Sequence, residues 1–171
     1  DLWVTLNEPG VYIYETYIER DWPNSKKSWI GQIRCFLNLA SAHKKIYKYL
    51  HNNFPAGKPV GITNNILSFE SYHKHSLREQ IAVFLNDLFV NHLFYIFTKG
   101  THDFLGINYY FHDKLKFPFR VKNDNKIVSD IGWEIYPEGI YHVLMGLKDY
   151  KLPIYITENG VADAKDKIRK D

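Results

Sequence analysis

Short apolar segments alternate with longer amphipathic segments along the chain. Four segments have the length and the β-branched or aromatic composition of buried strands: residues 2–6, 60–62, 104–107 and 154–157. A polar loop follows each of them, and in most cases a helical segment comes next. This alternation is typical of βα units and predicts an α/β fold with a parallel sheet.

Helical periodicity is present in residues 28–51, 77–98 and 138–148. Apolar residues of the first segment recur at spacings of three, four and seven, and Ser28 has the side chain of an N-cap. One face of each helix is therefore expected to be buried. The predicted buried positions are Ile33, Leu37, Ala40, Tyr47 and Leu50 in the first helix, and Ile81, Leu85, Leu88, His92 and Ile96 in the second.

Polar connections separate these elements. We predict an irregular loop from the first strand to Pro23, a break at Pro55-Ala56-Gly57, and a small hairpin within residues 114–129. The chain contains neither a short-period repeat nor a low-complexity linker. We therefore interpret residues 1–171 as one domain or part of one.

Four parallel strands with helices on one side leave two open sheet edges and an uncovered apolar face. A closed (β/α)8 TIM barrel has about 250 residues and eight βα units, so we predict such a barrel with only about four units in this chain. The side chains of Val4, Ile62, Ile107 and Ile156 are then expected to meet water. We expect the isolated chain to self-associate or to bind a complementary barrel half.

Composition indicates a globular protein: 45% of the 171 residues are apolar and 16% are aromatic. The net charge of +3 comes from scattered residues, which does not favour a nucleic-acid partner. A single cysteine, Cys35, favours a reducing compartment. Since there is no continuous apolar run of about 18 residues and no signal sequence at Asp1, we expect a soluble, cytoplasmic protein without a membrane partner. The chain lacks an initiator methionine, so a signal upstream stays an open alternative.

Chemically useful residues follow three of the four predicted strands. These are Asn7-Glu8-Pro9, Asn108-Tyr109-Tyr110 and Glu158-Asn159-Gly160. A single glutamate at a strand end is usually a solvated surface residue. Because the strand C-termini of a parallel barrel open on one face, however, both glutamates are expected at one mouth. Such a pair suits cleavage of a glycosidic bond, in which one carboxyl group is protonated and the other ionised.

The histidines do not predict a metal site, and we expect neither metal nor cofactor. His73 and His75 have no third ligand beside them, so we interpret them as surface residues. His43 is expected as a hydrogen-bonded core residue, whereas His112 is a weaker candidate for reaching the site. Trp133 suits either stacking on a sugar ring or packing within its loop.

The segments around both glutamates resemble motifs of glycoside hydrolase family 1, the β-glucosidases and their relatives. Residues 3–9, Trp-Val-Thr-Leu-Asn-Glu-Pro, are similar to the acid/base motif, with leucine where phenylalanine is more usual. Residues 156–160, Ile-Thr-Glu-Asn-Gly, match the nucleophile motif. Further similarity, in the family's order, lies in residues 38–43, 103–110 and 132–139. By this resemblance the four strands are the fourth to seventh of the barrel.

The resemblance implies a retaining glycosidase that hydrolyses small β-glucosides or β-galactosides without a cofactor. Glu8 is then the general acid and later the general base, and Glu158 is the nucleophile. Asn7 is expected to bind the sugar 2-hydroxyl, Tyr110 to donate a hydrogen bond to Glu158, and Asn108 to line the same pocket.

Two other interpretations are weighed against this one. The first is a non-catalytic glycan-binding or protein-binding relative, which would usually lack one of the catalytic carboxylates, whereas Glu8 and Glu158 are both present. The second is an inactive half-barrel that needs a complementary chain. Finding the remaining strands, in the same polypeptide or in a partner, would distinguish it.

Overall fold

A computed structural model describes residues 2–23, 28–54, 57–117, 120–124 and 126–167. The predicted break at Pro55-Ala56 lies outside these ranges. Within them, the strands are β1 (Trp3–Asn7), β2 (Val60–Asn65), β3 (Ser68–Ser71), β4 (Phe104–Tyr109), β5 (His112–Lys116), β6 (Arg120–Val121) and β7 (Ile154–Asn159). The α-helices are α1 (Pro9–Tyr14), α2 (Trp29–Asn53), α3 (Leu77–Asn86), α4 (Leu93–Phe97) and α5 (Gly139–Leu147).

The three predicted helices are confirmed. Ser28 caps α2, because its hydroxyl accepts a hydrogen bond from Gly31 N at 2.9 Å. The second helix runs from Leu77 to Phe97, with a π-helical turn at Asp87–His92 that separates α3 from α4. Its length and mean hydropathy of 1.3 would allow it to cross a membrane, a test that core helices of soluble proteins also pass.

The segment before Pro23, predicted as an irregular loop, is partly helical. It forms α1 and then a π-helical turn at Glu15–Glu19. Pro9 occupies the first turn of α1, where a backbone N–H would have no acceptor within the helix. The prediction was wrong because the usual sign of a helix start is missing: the side chain of Glu8, at the N-cap position, makes no capping hydrogen bond.

Several predicted buried positions are exposed. Ile33 and Leu37 of α2, and Ile81 and Ile96 of the second helix, are all open to solvent. In α2 the prediction is confirmed for Ala40, which is buried together with His43, and the buried residues of α3 are Glu79 and Ala82. Periodicity identifies an apolar face correctly, but it does not determine which neighbouring element covers that face.

The chain divides into two compact units. Unit 1 comprises Asp1–Asn65, Leu93–Ile107 and Leu152–Thr157, and it holds most of a sheet of order β1-β2-β4-β7. β1 and β2 run parallel, with Trp3 opposite Val60. The predicted strands are thus neighbours in the order in which they occur along the chain, which is the order that successive βα units produce.

The expectation that apolar strand residues meet water holds only at the sheet edges. Val4 of β1 is 43% exposed and Ile156 of β7 is 49% exposed, whereas Ile62 and Ile107 are fully buried. The prediction was wrong for Ile62 and Ile107 because β2 and β4 are central strands, each with a strand on both sides. Only the outer strands present an unpaired edge.

A buried histidine connects β1 to the rest of unit 1. The Thr5 hydroxyl donates to His43 Nδ1 at 2.6 Å, and His43 Nε2 donates to the Thr101 carbonyl at 2.7 Å. Burial lowers the pKa of His43, and burial together with the neighbouring His43 lowers the pKa of His102 to about 3. Both rings are therefore neutral, and His43 is the hydrogen-bonded core residue that the sequence predicts.

Asp103, just before β4, connects α2 to β2. Its carboxylate accepts hydrogen bonds from Tyr47 Oη at 2.9 Å, His51 Nε2 at 2.9 Å and Val60 N at 2.8 Å. Burial raises the pKa of Asp103, but these donors outweigh burial and lower it below its ordinary value. The same pairing, with burial as the larger cause, raises the pKa of Tyr47 to about 12.

Unit 2 comprises Ile66–His92, Asn108–Lys151 and Glu158–Asp171. Its sheet has the order β3-β5-β6, in which β3 and β5 are parallel and β5 and β6 antiparallel. The β5–β6 pair is the small hairpin predicted within residues 114–129, although it begins earlier, at His112. β3 was not predicted because its four residues, mostly polar, show no strand pattern.

Replacing Asp103 tests the α2–β2 connection. We expect Asp103→Asn to lower the free energy of unfolding at pH 7 by about 1–3 kcal/mol, because the half-buried carboxylate accepts three hydrogen bonds and asparagine keeps only one acceptor oxygen and no charge. The folded-state pKa is depressed, so this stabilisation is present above the unfolded-state pKa of about 3.9 and is lost as pH falls through the folded-state value. Urea unfolding between pH 3 and pH 7 measures both effects.

Asp124→Asn is the matched control, since Asp124 pairs with Lys114 at the surface of unit 2. We expect it to change the free energy of unfolding by less than about 1 kcal/mol. A loss in Asp103→Asn that is equally large at pH 3 and pH 7 would contradict the role assigned to the carboxylate.

Candidate active site

Asn7 and Glu8 lie at the carboxyl end of β1, in unit 1. Asn7 is opposite Thr63 of β2, and Glu8 N donates to the Thr63 carbonyl at 2.8 Å. Asn7 is exposed and Glu8 is half-buried. The backbone of β2 therefore fixes the position at which both side chains leave the strand.

Glu8 has a left-handed backbone conformation, with φ 48° and ψ 54°. For a residue with a Cβ atom this conformation costs roughly 1–2 kcal/mol. Such strain persists where surrounding structure imposes it, and it is concentrated at functional sites. Here Pro9 follows directly and Glu8 N is held by Thr63, so the turn from β1 into α1 imposes the conformation. This observation favours a functional role for Glu8.

Tyr110 and Glu158 meet in unit 2. Tyr110 directly follows β4, Glu158 lies near the end of β7, and the two strands are neighbours in the sheet. The Tyr110 hydroxyl donates to Glu158 Oε2 at 2.5 Å. The hydrogen bond that the sequence predicted is therefore present.

Asn159, next to Glu158, connects the same two strands. Its Nδ2 donates to the Tyr109 carbonyl at 2.6 Å. Asn159 belongs to the motif at residues 156–160, but the motif alone predicts no role for it. The signal in the sequence is an amide next to a strand-end carboxylate. Asn108, predicted to line the pocket, is fully buried.

An apolar cavity of about 290 Å³ lies beside Tyr110 in unit 2. Trp133, which is 39% exposed, forms part of its wall, and its indole lies 5.9 Å from the Tyr110 ring. The indole also stacks on Phe111, at 4.4 Å between ring centroids. Trp133 thus packs within its loop and still presents surface to the cavity. The remaining lining residues are Ser129, Ile131, Ile135, Gly160, Val161 and Ala162.

Two of the other histidines, His112 and His73, have protein partners. His112 is buried and hydrogen-bonds Glu134, and His73 hydrogen-bonds Glu79 at 2.9 Å. Among the residues that the structure describes, no group of three or more His, Cys, Asp or Glu side chains could hold a metal ion.

The candidate site residues are thus distributed over the two units. Unit 1 brings Asn7 and Glu8 together, and unit 2 brings Tyr110 and Glu158 together with Asn108 nearby in the chain. The catalytic roles of Glu8 and Glu158 stay predictions.

A family model described as glycosyl hydrolase family 1 matches residues 91–171, which include Tyr110 and Glu158. The chain is family 1 glycosidase-like. The family model does not reach Glu8, but alignments with individual relatives cover nearly the whole chain. One is a β-galactosidase from Pyrococcus woesei, 32% identical, for which the alignment covers 99% of this chain and 44% of the relative.

A second relative is the galactolipid galactosyltransferase SFR2, chloroplastic, of Arabidopsis thaliana. It is 30% identical, and the alignment covers 99% of this chain and 29% of the relative. The solved structure of a β-glycosidase from Pyrococcus horikoshii has 29% identity and a TM-score of 0.85, with 97% of this chain and 44% of that chain covered. The chain therefore spans less than half the length of these relatives, and it has the fold of part of a (β/α)8 barrel, as the sequence predicts.

The strain at Glu8 can be measured with two variants that both lack the carboxylate. We expect Glu8→Gly to be more stable than Glu8→Ala by about 1 kcal/mol, because glycine has no Cβ to clash in a left-handed conformation. Urea unfolding gives the difference. Glu15 is the matched control, since its φ of −65° and ψ of −35° are helical; there the alanine variant should be the more stable one. A Glu8→Ala variant at least as stable as Glu8→Gly would show that the turn is unstrained.

Proposed function

We propose that this protein is a retaining β-glycosidase that hydrolyses small β-glucosides or β-galactosides by double displacement. The observation that carries the proposal is the hydrogen bond from Tyr110 to Glu158, in the part of the chain that matches the family model. Similarity to a β-galactosidase over 99% of the chain supports the same reaction class.

In the first step, the ionised Glu158 carboxylate attacks the anomeric carbon and the bond to the leaving-group oxygen breaks. Glu8 donates a proton to that oxygen, so the leaving group departs as a neutral alcohol. In the second step, Glu8 takes a proton from water, the water oxygen bonds to the anomeric carbon, and Glu158 is released. Each step inverts the configuration at the anomeric carbon, so the product has the same anomeric configuration as the substrate.

Tyr110 and Asn7 support this chemistry without exchanging protons. The Tyr110 hydroxyl donates to Glu158 Oε2 and thereby orients the carboxylate. Asn7 lies beside Glu8 and is proposed to bind the sugar 2-hydroxyl, an interaction that strengthens in the oxocarbenium-like transition state. For retention we expect a distance of about 5–5.5 Å between the carboxyl groups of Glu8 and Glu158.

Glycosyl transfer is a second candidate function, favoured by the similarity to a galactolipid galactosyltransferase. It needs the same glycosyl-enzyme, but an acceptor hydroxyl replaces water in the second step. Product analysis separates the two. Incubation of an aryl β-galactoside with and without a galactolipid acceptor should give free galactose if the enzyme is a hydrolase, and an extended galactolipid if it is a transferase.

The two carboxylates should have different mutant phenotypes. We expect Glu158→Ala to be nearly inactive on every substrate, because no nucleophile remains. Glu8→Ala should still form the glycosyl-enzyme from substrates with an activated phenol leaving group, which need little protonation. Azide should accelerate its turnover and give a β-glycosyl azide, since the anion needs no general base. Hydrolysis assays on this chain, and on any longer polypeptide that contains it, measure these effects.

Glu15→Ala is the control for this pair, as Glu15 follows α1 without belonging to a strand end. Equal loss of activity in Glu8→Ala on good and poor leaving groups, without azide rescue, would mean that Glu8 is not the acid/base.

Removing the Tyr110 hydroxyl should lower kcat while the fold survives. A hydrogen bond to a charged group contributes about 1.5–3 kcal/mol, so we expect Tyr110→Phe to reduce kcat by roughly 10-fold to 100-fold. Steady-state kinetics with an aryl β-glucoside, together with the thermal midpoint, provide the test. Tyr12→Phe, on α1, is the matched control. An unchanged kcat in Tyr110→Phe would show that the hydrogen bond has no function.

A further inference from the structure

Two segments of unit 2, residues 109–112 and 133–136, contact each other side chain by side chain. At one end the Tyr109 hydroxyl donates to the Tyr136 carbonyl at 2.6 Å. At the other end the His112 ring stacks on the Tyr136 ring, with centroids 3.9 Å apart and planes inclined by 19°. Tyr110 and Phe111, between these ends, both contact the Trp133 indole. The position of Tyr110 therefore depends on the second segment.

The polar side-chain contact between the segments is made by His112 and Glu134. His112 Nε2 donates to Glu134 Oε2 at 3.1 Å, and both residues are buried. Glu134 Oε1 also accepts from Lys126 N at 3.4 Å, so the carboxylate is fixed from two directions. On the other side of the imidazole, Nδ1 lies 4.0 Å from Glu70 Oε1, beyond hydrogen-bonding distance.

Such a pair strongly constrains geometry. Hydrogen bonds to charged groups are stronger and more directional than van der Waals contacts, and a buried carboxylate that loses its donor is costly. The contacts of the Trp133 indole with the Tyr110 and Phe111 rings are less directional, so the rings could shift along each other. Together with the hydrogen bond from Tyr109 to the Tyr136 carbonyl, the His112–Glu134 hydrogen bond therefore fixes the register of the two segments, and with it the point at which the Trp133 indole meets the Tyr110 ring.

We propose that His112 and Glu134 are positioning residues for the nucleophile, which act through Tyr110. Their hydrogen bond holds residues 133–136 against residues 109–112, so that the Tyr110 hydroxyl is directed at Glu158. This inference rests on the proposed function, because it assigns the pair to the orientation of Glu158. Orientation errors at a reacting carboxylate of about 1 Å can cost about 100-fold in rate.

Two variants of His112 separate the hydrogen bond from the shape of the side chain. His112→Phe keeps a ring that can stack on Tyr136 but removes the donor to Glu134. His112→Gln keeps an N–H donor at the end of the side chain, at about the position of Nε2. Glu134→Leu removes the acceptor and is expected to lower kcat in the same way, so it serves as a second route if His112→Phe folds poorly.

The test is a double-mutant cycle between His112→Phe and Tyr110→Phe, measured as kcat and KM on an aryl β-glucoside. We expect His112→Phe to lower kcat about tenfold with little change in KM, and His112→Gln to restore most of it. In the Tyr110→Phe background the same substitution should have almost no effect on kcat, because the hydroxyl it positions is absent. Full additivity in the cycle would overturn the proposal, as would equal defects in the Phe and Gln variants.

His73→Phe is the matched control, since His73 also hydrogen-bonds a buried glutamate of unit 2, Glu79, which lies outside the paired segments. It should lower the thermal midpoint without coupling to Tyr110→Phe. Coupling as large as that of His112 would mean that general destabilisation explains the effect.

A measurement that does not depend on catalysis tests the positioning role separately from the proposed function. With 3-fluorotyrosine incorporated, the 19F resonance of Tyr110 is assigned by its loss in Tyr110→Phe, and Glu158→Gln shows where it lies once the hydrogen bond is altered. We expect His112→Phe to move the resonance in the direction of Glu158→Gln and His112→Gln to leave it in place. A resonance unaffected by His112→Phe would overturn the positioning role even in a protein with no glycosidase activity, and a shifted resonance in such a protein would refute only the proposed function.

Discussion

The hydrogen bond between Tyr110 and Glu158 depends on β4 and β7 being neighbours in the sheet. Tyr110 follows β4 and Glu158 is the penultimate residue of β7, so any other strand order would separate them. Asn159 strengthens the same connection by donating to the Tyr109 carbonyl. The strand order thus does more than bring polar residues to one edge, because it also gives the Glu158 carboxylate a specific hydrogen-bond donor.

Buried and half-buried polar groups with hydrogen-bond partners hold the elements that carry these residues. His43 joins β1 to the segment before β4, and Asp103 joins α2 to β2. In unit 2, the His112–Glu134 pair joins the residues after β4 to the loop that carries Trp133. Each interaction has a cost if one partner is removed, because the remaining group would be buried without compensation. Such contacts fix geometry more strictly than apolar packing does.

Glu8 shows a different kind of constraint. Its left-handed backbone is unfavourable for a residue with a Cβ atom, and no capping bond from its side chain offsets the cost. The turn from β1 into α1 imposes the conformation, so the side chain emerges at a fixed angle beside Asn7. Backbone strain of this kind is concentrated at functional sites, so the conformation of Glu8 agrees with the proposed acid/base role.

The sequence by itself determined the βα order, the three long helices, the cap at Ser28 and the residues at the strand ends. These follow from local periodicity and from motifs that the chain carries in contiguous segments. Tertiary structure alone decided that Ile62 and Ile107 are buried while Val4 and Ile156 are exposed, because that depends on which strands are central. It also decided the pairing of His112 with Glu134 and the roles of Asn159 and β3. These contacts join residues distant in the chain, and no local pattern encodes the distance between two side chains that only the folded sheet brings together.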